Sequence, residues 1–347
     1  MPKNLRSLLI VLATLGAALP AAADTLLVAN KSDHTVDLID LASGVSRATL
    51  PTGRAPHEIA VSPDGGTAVI ANYGDRSQPG SSLTIIDIAE TEVERTISLG
   101  KHTRPHGLAF LSADRVAVTT EGSAHLVIVD PSSGDLVDAV ATDQRVSHMV
   151  SLAPSIKRAF VANIGSGSVT AIDLAAGEKL ADITTGDGAE GIATTPDGSE
   201  IWVGNRAADT LSIIDPETLT IVASLPCPGF PIRVAITPDG RHALVSAARS
   251  GEVVLFDVTA RKELRRAQLD LSNAPDAAQR LFGDRFGESP VPVGLVVSPA
   301  GDRAWVAATQ ADAVMVIDVQ TLDVIGALRA GKEPDGMAYS SVSLNTE

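Results

Sequence analysis

Residues 35–40 read Thr-Val-Asp-Leu-Ile-Asp, and the closing pair, an apolar residue followed by aspartate, recurs along the whole chain. It returns as Ile86-Asp87, Val129-Asp130, Ile172-Asp173, Ile214-Asp215, Phe256-Asp257 and Ile317-Asp318, with successive aspartates 47, 43, 43, 42, 42 and 61 residues apart. A period near 42 with strand-like content is the pattern of propeller blades. In the first unit the stretches 26–30, 35–41 and 45–50 alternate like strands, and a fourth at 58–62 runs into a turn. That turn is Ser-Pro-Asp-Gly at 62–65, Thr-Pro-Asp-Gly at 195–198 and 237–240, and Ser-Pro-Ala-Gly at 298–301. Proline presets φ at its second position, and glycine closes it. Seven such units predict an all-β fold, a single seven-bladed β-propeller with four-stranded antiparallel blades. The phase of the repeat predicts how the ring shuts. Residues 25–30 form the second strand of a blade and residues 336–342 an isolated inner strand, so the C-terminal strand is expected to complete the N-terminal blade.

Composition narrows the function. Among 347 residues, 42 acids face 27 bases, for a net charge of −15, with one cysteine and 3% aromatics. The acid excess argues against nucleic acid, whose phosphates need Lys and Arg. A lone cysteine excludes a disulfide framework, a CxxCH haem attachment and a cysteine-based zinc site. So few aromatics are thin for a base-stacking platform. At the start, Lys3 and Arg6 precede an uncharged run from Leu8 to Leu19, then Pro20 and Ala21-Ala22-Ala23. This reads as a cleaved secretory signal over residues 1–23, too short to span a bilayer comfortably. The expectation is a periplasmic mature protein, residues 24–347, with no membrane span. Losing two bases and no acids would bring its charge to −15 − 2 = −17.

Val-Ala-Asn at 28–30 and 161–163, each followed by a loop and then Thr-Val-Asp-Leu-Ile-Asp or Ser-Val-Thr-Ala-Ile-Asp, resembles the YVTN (YncE-like) β-propeller family. The resemblance covers essentially the whole of residues 24–347. It implies the propeller fold but no single function. The wider superfamily holds binding proteins without a known ligand, lactonases, and the propeller domains of haem d1 and copper enzymes.

Irregularity collects on one face of the expected ring. The turn face is uniform. The opposite face carries the crossovers to each next blade, an insert near Tyr73–Ser81, a lengthened crossover at 101–104, and the largest insert at 270–290 in blade six. Loops on a rigid scaffold carry function. Six of the seven histidines, His34, His57, His102, His106, His125 and His148, fall on this face, and His242 near the other. One repeat position, where the chain enters an inner strand beside the channel, reads His57, His106, His148, Glu190, Ile232, Val293 and Asp335 around the ring.

Three readings of that position stay open. His57, His106 and His148 with an acid suit a transition metal such as Cu, Zn or Fe. Arg54, Arg104, Arg145 and Arg233 beside the histidines suit an anionic small molecule. A solvated funnel without dedicated chemistry is the third. In the insert, Ser272-Asn273 reads as an N-cap for a helix whose apolar stripe is Ala277, Ala278, Leu281, Phe282 and Phe286, either a lid or rim packing. No Gly-x-Ser-x-Gly, Walker, dinucleotide or His-Glu-x-x-His motif occurs. Cys227 between two prolines and the repeated Ile-Asp aspartates read as structural. The leading expectation is therefore a periplasmic binding or accessory propeller. Its ligand is a small molecule or metal ion at the channel mouth, and a periplasmic protein partner is a further option. The alternatives are a propeller enzyme, a metal-dependent oxidoreductase or a lactonase- or lyase-like one, using the same residues, and a protein-interaction scaffold.

Overall fold

Each aspartate of the repeated marker ends or follows the third strand of its blade and folds back on the turn beyond it. The Asp173 carboxylate accepts the N–H groups of Ala175 and Ala176 at 2.8 and 2.9 Å, and Asp318 does the same for Gln320 and Thr321 at 2.9 and 2.8 Å. Asp40, Asp87, Asp130, Asp215 and Asp257 make equivalent bonds. These Asx turns replace backbone partners that the hairpin lacks, so the marker is structural. The Val-Ala-Asn asparagine has the complementary task. Asn163 sits buried at the end of a second strand and donates to Thr170 at 2.9 Å in the third, as Asn72 does to Thr84 at 3.0 Å and Asn205 to Ser212 at 2.9 Å. On the opposite face the Pro-Asp-Gly turns close through Gly65, Gly198 and Gly240 and the Pro-Ala-Gly turn through Gly301, all at φ between +72° and +81°, a conformation that favours glycine.

The computed structural model describes residues 24–345. Twenty-eight strands form seven sheets of four, each antiparallel and ordered from the channel outward. The inner strands of blades 1 to 7 are Pro334–Ser340, Pro56–Val61, Pro105–Ser112, Ser147–Ala153, Ala189–Thr194, Pro231–Ile236 and Pro292–Val297. The chain closes as expected, because Pro334–Ser340 pairs with Thr25–Asn30 and places Met337 opposite Val28. The core is not one mass. Seven apolar clusters each fill the space between two neighbouring blades, for example Leu38 and Ile39 on either side of blade 1, against Ile70 of blade 2 and Trp305 of blade 7. The signal segment expected at 1–23 lies outside the described residues.

The insert departs from its sequence pattern. No helix forms over the apolar stripe; two short 3-10 turns, Ala277–Gln279 and Gly283–Phe286, stand in its place. Two features interrupt a helix there. Gly283 takes φ +51°, and Arg280 is extended, with its guanidinium held by Asp312 at 2.7 Å and the Thr309 carbonyl at 3.0 Å. Gln310 donates to the Gly283 carbonyl at 2.7 Å, so the segment is tied to blade 7. Phe282 and Phe286 stack at 5.1 Å between centroids, and Phe286 is buried against Phe230, Val291 and Val293.

Candidate functional site at the channel mouth

The crossover into every inner strand is built the same way. The residue before the strand is left-handed: Ala55, Arg104, Val146, Gly188, Phe230, Val291 and Glu333 have φ between +47° and +79°. Six are not glycine, a conformation that costs each of them roughly 1–2 kcal/mol. It is held by a matching bond, in which a residue at the end of each blade's second strand or just past it donates its N–H to that residue's carbonyl, as Tyr73 to Ala55 at 3.2 Å and Arg206 to Gly188 at 3.0 Å. Two rings of side chains result. One is the second residue of each inner strand. The other is the residue after each Val-Ala-Asn asparagine or its equivalent, and includes Lys31, Tyr73, Glu121, Ile164 and Arg206.

All seven residues of the first ring line one chamber of 190 Å³, as do those five of the second. The three histidines named from sequence meet there. His57 and His106 have centroids 5.0 Å apart, and His106 and His148 lie 3.6 Å apart in a tilted stack. All three are buried. Tyr73 lies against His57 at 4.3 Å and donates its hydroxyl to Glu121 at 2.6 Å. A second, more open chamber of 580 Å³ adjoins this one, sharing Lys31, His57, Tyr73 and Leu281. Leu281, 50% exposed at the tip of the insert, stands between the two.

The imidazoles are not equivalent. His57 donates Nδ1–H to the Ala55 carbonyl at 3.0 Å, which leaves Nε2 as a lone pair 4.0 Å from Asp335. Burial holds it well below the usual histidine value, at about 4, despite the pull of Asp335. His106 is lowered too, by burial and by its histidine neighbours, and its Nδ1 has no hydrogen-bond partner among the described residues. His148 goes the other way. Burial opposes its charge, but Glu190 and Glu121 outweigh burial and raise it to about 9. Its Nδ1 meets Glu121, and its Nε2 lies 3.0 Å from Glu190, whose other oxygen meets Arg206. A continuous polar chain thus runs from the Tyr73 hydroxyl through Glu121, His148 and Glu190 to Arg206.

A second network lies one residue further along the inner strands. There glycine fills four blades, because the next inner strand passes too close for a side chain. A Cβ on Gly294 would sit 1.9 Å from the Asp335 carbonyl oxygen, and one on Gly336 2.1 Å from that of His57. Glu58 and Arg233 occupy the same position in blades 2 and 6 and meet across the channel as a buried ion pair. Burial pushes the Glu58 carboxyl up to about 7, against the attraction of Arg233. Lys31 pairs with Asp335 at 3.2 Å, and that lysine, His57 and Arg233 hold the Asp335 carboxyl below its usual range against the effect of burial.

The four arginines named from sequence separate. Arg233 is inside the channel. Arg104 covers the Tyr73 ring at 5.1 Å and lines the open chamber. Arg54 is exposed, bound to Asp75 at 2.6 Å, and Arg145 is exposed beside the left-handed turn at Val146; neither lines a chamber. Lys31, Glu58, Tyr73, Glu121 and Arg206 were not singled out from sequence. Four of them, Lys31, Tyr73, Glu121 and Arg206, stand next to the Val-Ala-Asn asparagine or its equivalent, and the repeat alignment exposes that position. Burial pushes the Cys227 thiol up to about 12, so it is kept as an unreactive core group.

The fold and the mouth define a seven-bladed β-propeller with a buried His/acid cluster on its crossover face. The family described as YNCE-like beta-propeller matches residues 157–281. The uncharacterized protein YncE of Salmonella typhi, and that of Salmonella typhimurium, is 25% identical over 246 residues, covering 67% of this chain and 68% of the relative. Among solved structures, a functionally unknown protein from Desulfotomaculum acetoxidans superposes with a TM-score of 0.74 at 13% identity, over 93% of this chain and all of the other. Kuenenia stuttgartiensis hydrazine synthase gives 0.68 at 20% identity, over 91% of this chain and 100% of that one. Dihydro-heme d1 dehydrogenase NirN in complex with DHE gives 0.63 at 21% identity, over 92% of this chain and 66% of that one. At these identities the structures share the fold. The chain is similar to the YncE-like β-propellers over these residues, and its fold is a seven-bladed β-propeller. Among the described residues no helix is long and apolar enough to cross a membrane.

Proposed function

We propose that this propeller is a periplasmic binding or accessory protein whose ligand, a metal ion or a small polar molecule, sits at the channel mouth. The observation that carries the reading is convergence. Seven equivalent repeat positions face one chamber, and five of them are His57, His106, His148, Glu190 and Asp335, where a merely structural ring would bury apolar side chains. Burying four carboxylates, a lysine and an arginine is costly unless they are paired, and the pairs supplied here leave His106 Nδ1 without a hydrogen-bond partner among the described residues and His57 Nε2 with only a 4.0 Å approach to Asp335. Imidazole nitrogens left over in residues that line a chamber are what a ligand with an acidic hydrogen or a vacant orbital uses. The periplasmic part rests on the basic, apolar and small-residue pattern of residues 1–23.

Native mass spectrometry of the untagged protein, isolated from the periplasm of its own host, tests both parts. The expected result is a chain beginning near Asp24 that carries a non-covalent species, absent from a folded His57→Ala/His106→Ala variant. A chain recovered in the cytoplasm with residues 1–23 attached refutes the location. A chain that carries nothing, and gains no thermal stability from metal ions or pooled small metabolites, refutes the site.

A further inference from the structure

We infer that the inner chamber binds one divalent transition-metal ion through His106, Glu121 and His148, with Glu190 as the outer carboxylate that orients His148. This deepens the reading of the mouth as a ligand site and rests on it.

One donor atom from each of His106, Glu121 and His148 lies within 4.8 Å of the other two, close enough for a single ion to gather them with small side-chain movements. His106 supplies the independent sign of a ligand. It is 3% exposed, and its Nδ1 has no partner among the described residues, so an imidazole nitrogen is held dry at a cost that nothing in the protein repays. His148 has the arrangement of a metal-binding histidine. Its Nε2 donates to Glu190 at 3.0 Å, and such a carboxylate fixes the tautomer and ring plane of a histidine whose other nitrogen takes the metal. That other nitrogen, Nδ1, faces Glu121. An ion between them replaces the proton the two now share; the proton leaves to solvent, and His148 keeps the Nε2–H that Glu190 accepts. Tyr73 stays hydrogen-bonded to the second oxygen of Glu121 at 2.6 Å and fixes that carboxylate in turn.

Charge agrees. With His148 neutral, Glu121, Glu190 and Asp335 balance Lys31, Arg206 and Arg233 in the chamber, −3 + 3 = 0, and Glu58 behind Arg233 adds negative charge as it ionises around pH 7, so a dication meets no net positive charge. Two imidazoles and one carboxylate favour zinc or copper over the hard ions magnesium and calcium. A set of three protein donors leaves a coordination position for a ligand in the chamber. His57, 5.0 Å from His106 between centroids, stands outside the set.

The test is titration of untagged, chelator-treated full chain with Zn2+ and Cu2+ against a chromophoric competitor, with circular dichroism to check each variant's fold. The expected result is one ion per chain. His106→Ala and Glu121→Gln each weaken it by about 100-fold or more, and Glu190→Gln by about 10–100-fold with the stoichiometry kept. His125→Ala, in the other histidine pair on this face, where His102 and His125 lie 4.9 Å apart, leaves affinity within about threefold. Should Glu121→Gln fail to fold, His106→Ala decides, because its Nδ1 has no bond to lose. An ion whose affinity survives His106→Ala, or no saturable uptake below about 100 µM, overturns the inference. If neither ion binds while the isolated protein still carries an organic molecule at the mouth, the metal is refuted and the wider reading stands. If nothing at all binds, both fall.

Discussion

Replacing His148 by glutamine should flatten the protein's stability profile in alkaline solution. The imidazolium lies between Glu121 and Glu190, and the two carboxylates raise it from the ordinary 6.5 to about 9 in spite of burial. A histidine raised in the folded state stabilises that state fully below its unfolded value, and the contribution is lost as pH rises through the folded one. The interval of about 2.5 units corresponds to about 3 kcal/mol, of which about 2 kcal/mol disappears between pH 7.5 and 9. That window isolates the group. Glu58, raised to about 7 by burial against Arg233, tilts the curve in the same sense, but its effect is complete by about pH 7. His57, lowered to about 4 by burial, acts only below 6.5. Urea denaturation at half-unit steps should therefore show wild-type stability falling by about 2 kcal/mol from pH 7.5 to 9, and the His148→Gln curve staying level. Equal slopes in the two proteins, or a wild-type curve that rises, would refute the buried imidazolium and the electrostatic account of the site with it.

Gly294→Ala should destabilise the ring by more than about 3 kcal/mol in chemical denaturation, since its Cβ would lie 1.9 Å from the Asp335 carbonyl, a backbone atom of the closing strand that cannot yield. Gly100→Ala, at φ +59° with nothing within 4 Å of the new Cβ, should cost only the left-handed penalty of about 1–2 kcal/mol. Truncation before residue 334 should abolish cooperative thermal unfolding, because it strips Thr25–Asn30 of its inner partner and opens blade 1. Asn163→Ala should cost about 1–3 kcal/mol by the same assay, as it removes the bond to Thr170 and leaves the Ser147 hydroxyl without its acceptor at 2.9 Å.

The architecture was legible because the repeat states it seven times. The Ile-Asp pair, the Val-Ala-Asn asparagine and the Pro-Asp-Gly turn each satisfy backbone or hairpin bonds at one fixed place, so reading one blade reads the ring. The first ring of the site was legible for the same reason: His57, His106, His148, Glu190 and Asp335 share one offset from the marker. The second ring carries its signal at another offset, one residue past the Val-Ala-Asn asparagine or its equivalent, and a search led by histidines passes over Lys31, Glu121 and Arg206. Other features leave no trace in local sequence. Glu58 and Arg233 are 175 residues apart and meet only because blades 2 and 6 face each other across the channel. Arg54 and Arg145 sit beside left-handed turns that send them outward, where a count of arginines near histidines had placed them inward. In the insert, helical spacing of Leu281, Phe282 and Phe286 was overridden by Gly283 and by the anchoring of Arg280 on Asp312, a contact made only in the folded ring.

The channel mouth as a ligand site is tested most directly by a crystal structure of the protein isolated from its own host, with anomalous data collected above the zinc and copper edges. The account predicts non-protein density inside the chamber, with an anomalous peak among His106, Glu121 and His148 if the bound species is the metal. Ordered water alone at the mouth, with a ligand seated on the Pro-Asp-Gly face or between blades, would contradict it.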